Sequence, residues 1–98
     1  RVYLTIEGIQ DFIASYFSIK KTDLLGSKRN KQFVVPRQIA MYLCRELINE
    51  SFPQIGSSFG KDHTTILHAY TKVTKELEKD PALRDTLEDI KEKIKTSV

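Results

Sequence analysis

Between Ser51 and Ile66 the chain spells two helix starts around one helix stop, and this stretch restricts the fold more than any other. Ser51-Phe52-Pro53-Gln54 has the form of a capping box, with Ser51 as N-cap and Gln54 three residues on. Gly60 stands where a left-handed C-cap ends a helix of barely two turns. Asp62 supplies the next N-cap, and apolar residues return only at Ile66, Ala69, Tyr70, Val73 and Leu77, at helical spacing. The first turn of that second helix, His63-Thr64-Thr65, is wholly polar. A helix with a polar tip and a buried stripe is built to offer its N-terminal end to a partner.

The rest of the chain also reads as helix. Thr5 can cap a first helix whose Ile6, Ile9, Phe12, Ile13 and Tyr16 share one face. Thr22-Asp23-Leu24-Leu25 is a single turn ending at Gly26. Ser27-Lys28-Arg29-Asn30-Lys31-Gln32 has three positive charges and no apolar side chain, so residues 27–35 read as an exposed basic loop. Pro36 suits the first turn of the next helix, where its missing N–H costs nothing. Ile39, Ala40, Leu43 and Leu47 give that helix its core stripe, with Arg37, Gln38 and Arg45 expected to point outward. Asp80-Pro81 repeats the cap-then-proline signal, and Leu83, Leu87, Ile90 and Ile94 line a last helix. No segment alternates with period two for long enough to be a strand. The expectation is all-α: one domain over residues 1–98, a compact bundle of about six helices, with a helix-turn-helix unit at about 36–79.

Composition narrows the function classes. At 98 residues the chain has room for one modest core. No apolar run approaches the ~20 residues that span a bilayer, and no signal peptide opens the sequence. Starting at Arg1 without methionine, it reads as a fragment of something longer. The lone Cys44 makes no internal disulfide and no zinc site, and among Tyr42, Leu43 and Leu47 it reads as a small buried hydrophobe in a reducing, cytoplasmic setting. Residues 1–75 carry eleven Lys and Arg against six Asp and Glu, whereas residues 76–98 carry five against seven. The net charge of +3 is thus an uneven one, with a basic first three quarters suited to a polyanion.

A medium helix, a very short one and a longer one with a polar start form the order of a helix-turn-helix, whose last helix enters the major groove. There Asp62 can accept from a cytosine amino group, Thr64 and Thr65 can bond either base type or touch a thymine methyl, and His63 can donate, accept or pack. Lys61 and the positive helix terminus favour phosphates. The same four residues are equally compatible with an ordinary cap and a solvated first turn. Lys28, Arg29 and Lys31 can reach phosphates or a narrow A/T-rich minor groove, and Arg37, Gln38 and Arg45 can add phosphate contacts. Three other chemistries fail on spacing. Gly56 to Asp62 has its second glycine one residue early for a phosphate-binding loop and no Ser or Thr for magnesium. His63 and His68 are five apart, on different helix faces, so no metal is expected. Asp62 and His63 have no nucleophile beside them, so no catalysis is expected.

Ile55-Gly56-x-x-Phe59-Gly60-Lys61-Asp62-His63-Thr64-Thr65-Ile66 closely resembles the signature of the C-terminal domain of DnaA, the bacterial replication initiator. Ile6-Glu7-x-Ile9-Gln10, Asp23-Leu24-Leu25, the basic loop and Pro36-Arg37-Gln38-Ile39-Ala40-Met41 follow the family's order, so the resemblance covers nearly the whole chain. It implies a Trp-repressor-like bundle that binds short asymmetric boxes in double-stranded DNA at the replication origin. It also implies base contacts from Asp62, His63, Thr64 and Thr65, with Pro53 on a thymine methyl and Arg29 in the adjacent minor groove. Lys28, Lys31, Arg37, Gln38, Arg45, Lys61 and Lys72 are the expected phosphate contacts. ATP belongs to the family's upstream ATPase module, absent from this chain, and no cofactor is expected here. Expected partners are the rest of the initiator, other initiator copies and regulatory proteins, in a nucleoid-associated setting; nothing in the residues supports membrane contact. The family usually has two glycines and an arginine before the Asp-His pair; here one glycine and Lys61 stand there, so the two helices are expected to join differently. The competing expectations are a helical protein-interaction module, supported by the acidic amphipathic last helix at 81–95, and a helix-turn-helix transcription regulator without origin specificity.

Overall fold

The computed structural model describes residues 4–97, the last of them by backbone alone. It contains six helices: α1 (Ile6–Tyr16), α2 (Lys21–Leu24), α3 (Lys31–Ile48), α4 (Phe52–Phe59), α5 (His63–Leu77) and α6 (Pro81–Ser97). The described residues contain no strand, so the fold is all-α, as the periodicity predicts.

The caps set most of the boundaries. Thr5 Oγ1 accepts the Gly8 N–H at 3.0 Å, Ser51 Oγ accepts the Gln54 N–H at 3.2 Å, and Asp80 Oδ1 accepts the Leu83 N–H at 3.1 Å. Each satisfies one of the N–H groups that a helix start leaves without an intrahelical partner. Gly60 ends α4 in the left-handed region at φ 64°, and the Lys61 N–H closes back on the Gly56 carbonyl at 2.9 Å. Asn49 does the same for α3 at φ 52°.

Helix α3 forms the centre. Every residue from Ile39 to Cys44 is buried, with α1 on one side and α5 on another. A helix surrounded in this way loses the narrow stripe of a surface helix and becomes apolar over most of its circumference. Ile9, Ile13, Leu24, Ile55, Phe59 and Ile66 complete the core from the neighbouring helices. Helix α6 closes it with Leu87, Ile90 and Ile94, so its apolar face is used within the domain. Tyr16 Oη donates to Asp89 Oδ2 at 2.6 Å and fastens α6 to α1.

Two expectations about α3 are corrected. It begins at Lys31, so the basic loop is shorter than residues 27–35, and Pro36 lies in the second turn. The Asn30 carbonyl already takes the Phe33 and Val34 N–H groups, so the helix is nucleated upstream of the proline. The proline then removes one backbone donor and buries its ring. Arg37 does not point outward: it is buried, for a reason given below.

Cys44 is fully buried, and burial pushes its thiol from an ordinary 9.0 up to about 12. The native chain is therefore expected to resist thiol reagents at pH 8 and to react at once when unfolded in urea. A thiol whose folded value is raised adds stability that is complete below pH 9 and is lost as pH climbs towards 12. Fast native-state labelling at pH 8 would contradict this burial.

Candidate nucleic-acid interface

The junction between α4 and α5 positions the polar tip. Gly56, in the middle of α4, runs so close to the turn that a Cβ there would stand 2.6 Å from the Lys61 carbonyl. Gly60 then reverses the chain and Asp62, in extended geometry, starts α5. Ile66, Ala69 and Val73 anchor α5 in the core, which leaves His63, Thr64 and Thr65 exposed at its start. The helix is held from below and its first turn faces solvent.

Asp62 occupies the cap position without capping through its side chain, contrary to expectation. Its carboxylate accepts from Thr64 Oγ1 at 3.2 Å and faces His63 Nδ1 at 3.1 Å. The Thr64 hydroxyl foremost, and then the backbone and ring of His63, hold this carboxyl below its ordinary value. At neutral pH the tip is thus a short polar cluster with an ionised acceptor at its edge, and the Thr65 and Ile66 N–H groups are taken by the Asp62 carbonyl.

Across from this tip, Ser27 and Arg29 on the loop, Arg37 and Gln38 on α3, and Lys61, Thr65, His68 and Lys72 at the start and along one face of α5 line a groove of about 430 Å³. None of its lining residues is acidic. The groove thus joins the basic loop and helix α5, which lie far apart in sequence, into one cationic surface. Lys31 lies beside it, in a neighbouring depression shared with Gln38 and Lys72. Pro53 is exposed at the start of α4 and does not line the groove.

Several expected cations have other duties. Arg37 Nε donates to the Leu24 carbonyl at 2.7 Å, Nη2 to Asp23 at 2.8 Å and Nη1 to Lys28 at 3.0 Å. Burial lowers its pKa while Asp23 opposes the shift. With three of its five N–H donors engaged in the protein, Arg37 has a structural task as well as a place in the lining of the groove. Arg45 Nη1 donates to the Glu50 carbonyl at 3.0 Å, and its guanidinium lies 4.8 Å from the Phe52 ring centre, bracing the turn from α3 to α4. Lys28 pairs with Asp23 at 3.2 Å and lies over Phe33, although its side chain stays more than half exposed.

His68 is the groove residue that sequence reasoning missed, because it was weighed only as half of a metal pair. Its position, three residues after Thr65 and four before Lys72, places all three on one helix face. Among the described residues, no group of three or more His, Cys, Asp and Glu is placed to hold a metal ion, and no helix is long and apolar enough to cross a membrane.

The helix-turn-helix model of the bacterial dnaA protein matches residues 6–73. The chromosomal replication initiator protein DnaA of Levilactobacillus brevis is 50% identical over 93 residues, which are 94% of this chain and 21% of that protein. Its counterpart in Caldanaerobacter subterraneus subsp. tengcongensis is 47% identical over 92 residues, with the same two coverages of 94% and 21%. The chain therefore spans about a fifth of the length of these curated relatives. A crystal structure of a DNA replication initiation factor superposes with a TM-score of 0.81 at 35% identity, covering 90% of this chain and 27% of that one. A replication initiator DnaA bound to AMPPCP and single-stranded DNA superposes with a TM-score of 0.73 at 39% identity, covering 86% and 26%.

Proposed function

The chain belongs to the bacterial DnaA helix-turn-helix family, and on that premise we propose that it binds double-stranded DNA sequence-specifically at replication-origin boxes. The observation that carries the reading is the shared groove: one acid-free surface bears the basic-loop arginine and the face of α5 that begins at the exposed polar tip. The first turn of α5 enters the major groove, where Asp62, His63, Thr64 and Thr65 meet base edges, with Pro53 on a thymine methyl beside them. Arg29 enters the neighbouring minor groove, whose negative potential is strongest where A/T pairs narrow it. Lys31, Gln38, Lys61 and Lys72 hold phosphates, with Lys28 and Arg45 at the margin of the contact surface.

The domain acts as the address reader of a replication initiator and carries no catalytic step of its own. ATP and self-assembly belong to other parts of the full protein, in a cytoplasmic, nucleoid-associated setting. The acidic last helix gives less support to a separate protein-docking role, because Leu87, Ile90 and Ile94 are spent in the core.

Arg29→Ala is expected to lose about tenfold in affinity for boxes flanked by A/T pairs and much less for G/C-flanked ones. Lys31→Ala is expected to weaken all duplexes alike and to reduce the salt slope by about one unit. Fluorescence anisotropy across a salt series measures both. Uniform loss from Arg29→Ala on every duplex would demote it to a phosphate contact.

A further inference from the structure

The three carbonyls that Arg37 collects have a common consequence for recognition. Asp23 and Leu24 are the last residues of α2, where a helix leaves carbonyl groups without intrahelical partners. The Lys28 carbonyl belongs to the peptide group that begins Arg29. One planar guanidinium, fixed on the buried face of α3, therefore holds the end of α2 and the peptide just before Arg29 in a single plane of donors. Lys28 is also held by its side chain, paired with Asp23 at 3.2 Å and lying over Phe33. Arg29 itself, one residue on, is exposed at the groove that Lys61, Thr65 and Lys72 line from the other side.

We infer that Arg37 is a positioning residue for Arg29: it pins the Lys28–Arg29 peptide so that the arginine stands at a fixed distance from the recognition helix. The inference rests on the reading of Arg29 as the minor-groove contact. Its physical basis is pre-organisation. A loop ordered during folding does not have to be ordered again on binding, so the full contact of Arg29 reaches the observed affinity. It also fixes the spacing between two readers that lie in adjacent grooves of one duplex. Lysine cannot replace Arg37 here, because a single ammonium on a flexible stem does not span three carbonyls in a fork.

The test is Arg37→Lys, which keeps the charge and removes the fork. On duplexes with A/T-rich and G/C-rich flanks, Arg37→Lys is expected to remove the same flank preference as Arg29→Ala, a loss of about tenfold on the A/T-rich one. The double variant is expected to match Arg29→Ala within about twofold, the non-additivity of residues acting through one another. Amide exchange at residues 27–30 is expected to quicken in Arg37→Lys without DNA. A retained flank preference with unchanged loop exchange overturns the inference. So does an equal loss on all duplexes with a shallower salt slope, the mark of a direct phosphate contact. If Arg29→Ala itself leaves the flank preference intact, the minor-groove reading fails, and loop exchange alone then decides whether Arg37 holds the loop. Should Arg37→Lys not fold, the Arg37 Nε–H resonance of the unmodified chain is followed with and without duplex. Slow exchange in both states supports the clamp, and its loss on binding overturns it.

Discussion

Gly56→Ala is expected to cost about 3 kcal/mol of stability, the upper end for overpacking a filled site. The added methyl would stand 2.6 Å from the Lys61 carbonyl and 3.4 Å from the His63 amide nitrogen. Both are backbone atoms and cannot swing aside as a side chain can. Ile55 and Phe59, on either side of Gly56 in α4, are buried, so α4 cannot slide away without opening the core. The strain falls on the turn that aims His63 and Thr65. Unfolding followed by circular dichroism should show the midpoint lowered by roughly 12–24 °C in a domain of this size. Gly60→Asn is the control: nothing lies within 4 Å of that position, and the strain there is only that of φ 64°, which asparagine tolerates. A Gly56→Ala midpoint within two or three degrees of the parent would mean that the two helices have slack between them.

His63→Ala and Thr65→Ala are each expected to cost about 1–3 kcal/mol on a cognate box and almost nothing on a scrambled duplex. Both side chains are exposed in the free domain, and the ring of His63 pairs with the equally exposed Asp62. Their removal should therefore leave folding within about 0.5 kcal/mol of the parent. Combining the two should deepen the loss on the cognate box while the salt slope stays constant, because neither residue is assigned to a phosphate. Thermal midpoints measured beside the binding isotherms separate the two kinds of effect. Equal losses on cognate and scrambled DNA would remove these residues from base reading.

The parts of the fold that were legible in the sequence are those decided by local chemistry. Thr5, Ser51, Asp80 and Gly60 act at helix ends through their own side chains or backbone freedom, and each stands where its residue type predicts. The stripe Ile66, Ala69 and Val73 is legible for the same reason, since helical spacing alone chooses the face. What was not legible depended on distant partners. Pro36 is compatible with a helix start, but the Asn30 carbonyl and the buried Phe33 ring had already begun the helix. An arginine in a helix is outward-facing unless something buried needs its donors, and the carbonyls that need Arg37 belong to α2 and the loop.

The candidate site divides in the same way. Its polar tip is visible as a run of residues, and the resemblance to the DnaA signature names the role of each. The groove is not visible, because it requires the loop at Arg29 to face Lys61, His68 and Lys72 across α3. The Asp62 cluster shows how finely this depends on geometry. Any Asp before a helix predicts a side-chain cap, but here the neighbouring Thr64 hydroxyl and His63 ring compete for the carboxylate.

The central claim is that this domain reads a sequence and does not merely hold a polyanion. It is tested most directly by titrating the domain with a replication-origin duplex and a scrambled duplex of equal length and composition, across a series of salt concentrations. Both affinities are expected to fall linearly with the logarithm of salt, because phosphate contacts release counterions from either duplex. The cognate duplex is expected to stay at least roughly tenfold tighter throughout, the part of the binding that salt does not screen. Equal affinities at every salt concentration would contradict the account.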